Sequence, residues 1–71
     1  MIREGTPVKW KWGQGTATGT VKETYDHTVT KTLDGAEVTR HGESGDLALL
    51  IAQEDGSEVL KLSHEVDRLN E

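Results

Sequence analysis

Two Asp-Gly pairs, Asp34-Gly35 and Asp55-Gly56, each stand between runs of β-branched and aliphatic residues, and no other feature constrains this chain as much. An Asp-Gly pair favours a two-residue type I′ hairpin, which needs positive φ at both central positions. Glycine takes up that conformation freely and aspartate tolerates it. Such a turn also fixes register. Around Asp55-Gly56 it pairs Glu54 with Ser57, Gln53 with Glu58, Ala52 with Val59, Ile51 with Leu60, and Leu49 with Leu62. Leu49, Ile51, Leu60 and Leu62 then share one face, where burial is expected. Around Asp34-Gly35 it pairs Leu33 with Ala36, Lys31 with Val38 and Val29 with Arg40, a more polar and looser hairpin.

Alternation governs the rest of the chain. Val8, Trp10 and Trp12 fall on one side of a strand and Lys9 and Lys11 on the other. Gly13-Gln14-Gly15 ends that strand. The threonine-rich stretch from Thr16 to Leu33 is too long for one ordinary strand of about six residues. Gly19, or the Tyr25-Asp26-His27 segment, is expected to divide it. His41 to Asp46 reads as a polar surface loop. After Leu62, Ser63 followed by Glu65-Val66 resembles a cap opening one helical turn. The expectation is one all-β domain over residues 1–71, with five strands and at most a short C-terminal helical turn. A small barrel is favoured over an open sandwich, because closure removes exposed edges.

Composition narrows the function classes. The 71 residues include no cysteine, so neither disulfides nor a thiolate metal site contribute, and the chain suits a reducing cytoplasm. The aliphatic run Leu47 to Gln53 is far too short to span a bilayer, and residues 1–20 lack signal-peptide architecture. The net charge of −5 divides unevenly: residues 1–33 carry +2 and residues 34–71 carry −7. An acidic chain is a poor polyanion binder, so nucleic acid is disfavoured. His27, His41 and His64 show no metal-ligand spacing, and no metal or cofactor is expected. Ser44 and Ser63 lack a nucleophile-elbow context, and Gly13-Gln14-Gly15 opens no helix for a nucleotide phosphate. The chain therefore reads as a monomeric binding domain and not as an enzyme.

The three aromatics are the candidate contact residues. Trp10 is mid-strand and is expected in the core. Trp12 is followed at once by the glycine turn and is expected at the rim with Tyr25, and Trp12, Trp10 and Tyr25 are the candidate contacts for a protein or peptide. A different reading makes the chain a nucleic-acid-binding accessory protein that contacts phosphates through Lys9, Lys11 and Lys22.

The pattern Gly5-Thr6-Pro7-Val8-x-Trp10, then Gly15-x-Ala17-x-Gly19-x-Val21, resembles the opening strands of Tudor, KOW and other SH3-like barrels. Over nearly its whole length the chain is similar to the hypervirulence-associated Tudor-like domain family. Glu43-Ser44-Gly45-Asp46 matches that family's polar loop, Leu47 to Gln53 the hydrophobic strand after it, and Lys61 with Ser63 to Leu69 its last strand and terminal turn. The resemblance implies a five-stranded SH3-like (Tudor-like) barrel that binds a partner without catalysis. Tudor relatives hold methylated lysine or arginine in an aromatic cage, but Leu47-Ala48-Leu49 stands where an aromatic entry to the fourth strand would be. KOW-type relatives bind RNA or ribosomal partners, the source of the nucleic-acid reading.

Overall fold

Seven strands follow one another along residues 2–69, the residues that the computed structural model describes. They are β1 (Pro7–Trp12), β2 (Gly15–Tyr25), β3 (Thr28–Leu33), β4 (Ala36–His41), β5 (Ala48–Ala52), β6 (Glu58–Leu62) and β7 (Asp67–Arg68). A single 3₁₀ turn, Ser63–Glu65, separates β6 from β7. Every pairing is antiparallel. Five strands form one sheet in the order β6-β5-β2-β1-β7, and β3 with β4 form a separate two-stranded ribbon.

The all-β class agrees with the sequence reading, but the five-stranded barrel needs correcting in both count and closure. β7 pairs with β1 at only Val8 and Lys9, and the 3₁₀ turn stands between β7 and β6. Among the described residues no ladder joins the two edges of the larger sheet, so it stays open. β3 and β4, the strands expected around Asp34-Gly35, form a ribbon outside the larger sheet, and β7 is a further short strand.

The Asp34-Gly35 hairpin forms in the expected register, with Leu33 opposite Ala36, Lys31 opposite Val38 and Val29 opposite Arg40. Its central residues have φ of +52° and +77°, the conformation that a type I′ turn requires. Thr30 and Thr39 add a cross-strand hydroxyl hydrogen bond of 2.8 Å on the exposed face.

The Asp55-Gly56 hairpin differs by one residue. The Gln53 N–H donates to the Ser57 carbonyl at 2.8 Å, and the Gly56 N–H donates to the Gln53 carbonyl at 3.0 Å. Gly56 alone in this loop has positive φ, so Glu54-Asp55-Gly56 forms a three-residue connection closed by a left-handed glycine. Asp55 holds that shape: its carboxylate accepts the Ser57 N–H at 3.0 Å and the Ser57 hydroxyl at 2.6 Å. Leu50 therefore lies opposite Leu60, Ile51 opposite Val59, and Leu49 opposite Lys61. A one-residue shift separates the four aliphatics expected together. Leu49, Ile51 and Val59 pack into the main core with Val8, Trp10, Val21 and Val66. Leu50 and Leu60 are buried on the reverse face, where Leu33 and Val38 of the ribbon approach Leu60.

β2 serves both halves of the larger sheet. Its pairing with β5 shifts between Val21 and Glu23, which makes Lys22 the extra residue of a bulge. Val21 lies opposite Ile51 before the bulge, and Thr24 lies opposite Leu49 after it. Gly19 is not the break. It sits where β2 crosses β5 most closely, and a Cβ there would lie 2.6 Å from Ile51 Cγ2 and 2.7 Å from the Ala52 carbonyl oxygen. The strand ends at Asp26-His27, the second of the two places expected.

Candidate functional site

The two tryptophans share a strand face but not an environment. β1 directs Val8, Trp10 and Trp12 to the core side, where they lie opposite Gly19, Ala17 and Gly15. Trp10 is 4% exposed and belongs to the core; Trp12 is 71% exposed. The difference follows from what each one meets. Trp10 is enclosed with Val8, Val21, Ile51 and Val66, whereas Trp12 lies past the end of that cluster, opposite a residue with no side chain. The two-residue Gly13-Gln14 turn, with Gly13 at φ +59°, then reverses the chain. The indole is left beside an open hollow of about 500 Å³, lined by Gln14, Gly15, Thr16, Ala17 and Gln53.

Tyr25 is at the opposite end of β2, ten residues of strand away, about 33 Å if the strand were straight. Its hydroxyl donates to the Glu23 carboxylate, and the His27 ring meets it edge-on at 5.8 Å. Lys31 Nζ stands 5.3 Å from the Tyr25 ring centroid and 3.9 Å from Glu23 Oε1. Tyr25, and after it Glu23, hold the Lys31 ammonium above the usual lysine range. The chain's own lysine thus covers a face of this ring. Trp10, Trp12 and Tyr25 do not converge on one cage: one is in the core, one at the β1–β2 turn, and one at the far end of β2.

Of the three candidate lysines, two share a side of β1 and the third lies in the β2 bulge. Lys9 is half-buried and lies opposite Asp67 of β7. Lys22, in the bulge, donates to Glu58 Oε2 at 2.8 Å, and that contact raises its pKa. Lys11 is exposed on the same side of β1 as Lys9.

Sequence reasoning missed a polar cluster built by Asp46, Ser63 and His64. Asp46 Oδ1 accepts the Ser63 hydroxyl at 2.8 Å and the His64 N–H at 2.9 Å, while Oδ2 meets His64 Nδ1 at 2.6 Å. His64 holds the Asp46 carboxyl below its usual range, and Asp46 raises the His64 imidazole. The residue types invite comparison with a hydrolytic triad, but the Ser63 hydroxyl donates to the carboxylate and not to the imidazole. The imidazole is turned to the carboxylate and does not receive the hydroxyl proton, and the cluster fastens the 3₁₀ turn to the start of β5. Contacts that span 17 and 18 residues left no local signal in the sequence. Among the described residues, no three His, Asp or Glu side chains are placed to hold a metal ion. No helix among them is long and apolar enough to cross a membrane.

Neither the curated proteins nor the solved structures contain a match to this chain. The family model for the Tudor domain of hypervirulence-associated proteins matches residues 5–66, from the glycine before β1 to the buried Val66. That span includes β1 to β6, the 3₁₀ turn and the exposed tryptophan. The chain belongs to the family of hypervirulence-associated Tudor domains.

Proposed function

We propose that this domain is a non-catalytic interaction module that captures a protein or peptide through the β1–β2 end of its larger sheet, with Trp12 as the anchor. Family membership supports an interaction module in general terms, since Tudor domains as a class recognise other proteins. The observation that carries the particular reading is the exposure of Trp12. A large indole left in water at a fixed position, next to a hollow with few charges, is the raw material of an interface hot spot. Trp10 has a structural role in this reading, and Tyr25 is engaged by Lys31. The domain works as a monomer without a cofactor, and a cysteine-free sequence suits the cytoplasm.

Immobilised wild-type domain and a Trp12→Ala variant, exposed to the same native lysate, test the reading. A protein retained by the wild type and lost from the variant, with unchanged circular dichroism, supports it. Equal retention on both removes Trp12 from the site.

A further inference from the structure

We propose that the open half of β1 accepts an extended peptide strand, laid in line with β7, that carries an acidic residue flanked by apolar ones. This rests on the reading of the domain as an interaction module anchored on Trp12, and it names the partner's chemistry. The backbone directions on β1 follow from two hydrogen bonds. The Val21 N–H donates to the Thr6 carbonyl at 3.0 Å, so Thr6 and, two residues on each time, Val8, Trp10 and Trp12 face β2. The Leu69 N–H donates to the Pro7 carbonyl at 2.9 Å, so Pro7, Lys9 and Lys11 face the opposite edge. β7 occupies that edge only at Val8 and Lys9. On that edge no strand among the described residues lies beside Lys11, whose N–H and C=O point away from β2. A hollow of about 220 Å³ lies there, lined by Lys9, Trp10, Lys11, Thr16 and Asp67.

β7 itself shows what fits. Val66 turns inward and packs in the cluster that contains Trp10, and the next residue, Asp67, lies opposite Lys9 on the outer side. One step further along β1, the same alternation places an acidic residue opposite Lys11. Its apolar neighbours then fall on the side of Trp12. Lys11 makes no ion pair among the described residues, so its charge is available. A lysine on an exposed edge also discourages pairing between identical chains. That leaves the edge to a strand of opposite charge.

The test uses two capped synthetic pentapeptides, Val-Asp-Val-Asp-Val and Val-Lys-Val-Lys-Val, titrated into ¹⁵N-labelled domain. The acidic peptide is expected to shift the Lys11 to Gly13 amides and the Trp12 indole. At saturation it slows hydrogen exchange at the Lys11 amide about tenfold, as a new backbone hydrogen bond requires. Lys11→Glu, an exposed substitution that leaves the fold intact, abolishes the response, and the basic peptide produces none. An indole shift without Lys11 protection, or equal responses to both peptides, overturns strand addition while keeping Trp12 as an anchor. Silence at both Lys11 and Trp12 also overturns it. The Trp12→Ala capture experiment decides the broader reading independently.

Discussion

Asp46 and His64, eighteen residues apart, are joined twice: the imidazole Nδ1 donates to one carboxylate oxygen at 2.6 Å and the His64 backbone N–H to the other at 2.9 Å. The pair fixes the 3₁₀ turn that delivers Val66 to the core. Its strength depends on pH at both ends. The folded His64 pKa is raised above 6.5, so its contribution is full below that value and is lost as pH rises through the folded pKa. The folded Asp46 pKa is depressed below 3.8, so its contribution is present above that value and is lost as pH falls through the folded pKa. Urea midpoints of wild type and Asp46→Asn are therefore expected to differ most between pH 3.8 and 6.5, the gap narrowing as pH rises through the folded His64 pKa and as it falls through the folded Asp46 pKa. A gap that stays constant up to pH 9 contradicts a role for the charged imidazole.

The β5–β6 register makes a separate prediction. Leu60→Ala and Ile51→Ala each remove a buried side chain and are each expected to cost about 2–5 kcal/mol. They lie on opposite faces, so the double variant is expected to be additive to within roughly 0.5 kcal/mol. Leu50 and Leu60 are direct cross-strand neighbours. Their double variant should show coupling in the range of about 0.5–3 kcal/mol. Chemical denaturation of the six proteins settles it: coupling between Ile51 and Leu60 in place of Leu50 and Leu60 would restore the tighter turn.

Gly42 is the next test, for a steric reason. A Cβ there would stand 2.5 Å from the Tyr25 carbonyl oxygen and 2.8 Å from the Ala48 nitrogen, both backbone atoms that cannot swing aside. Its N–H also donates to the His27 carbonyl at 3.2 Å, fastening the ribbon's end to the β2–β3 corner. Gly42→Ala is expected to destabilise by about 1–3 kcal/mol. Gly45→Ala, three residues on in open space, should change stability by no more than about 0.5 kcal/mol. Thermal melts of the two variants compare them directly.

What the sequence made legible was local. The Asp34-Gly35 register could be read because both residues of its turn take positive φ and nothing nearby competes. At Asp55-Gly56 the same dipeptide misled, because Ser57 offers Asp55 both an N–H and a hydroxyl, which stabilises the wider loop. The four aliphatics do not discriminate between the two turns. They fit either register because both faces of β5 are buried, Leu49 and Ile51 on one side and Leu50 on the other. Alternation identifies strands but does not say which faces of an all-β chain will be buried. At the candidate site, the position of Trp12 beside a glycine turn carried its exposure. The Lys31–Tyr25 contact and the Asp46–His64 pair depend on tertiary approach, and no spacing rule announces them.

The final prediction separates the two indoles. Trp10 is enclosed by the core, so Trp10→Ala is expected to cost about 3–5 kcal/mol, comparable to the whole stability of a domain this small. Trp12 is mostly in water, and Trp12→Ala should change stability by no more than about 0.5 kcal/mol. Conservative single-tryptophan variants, Trp10→Phe and Trp12→Phe, retain enough ring volume to fold and report each indole alone. Acrylamide is expected to quench the fluorescence of Trp12 steeply and that of Trp10 weakly, with Trp10 emitting further to the blue. Equal quenching of the two would place Trp12 among packed side chains. The aromatic anchor proposed for the partner would then have no accessible ring.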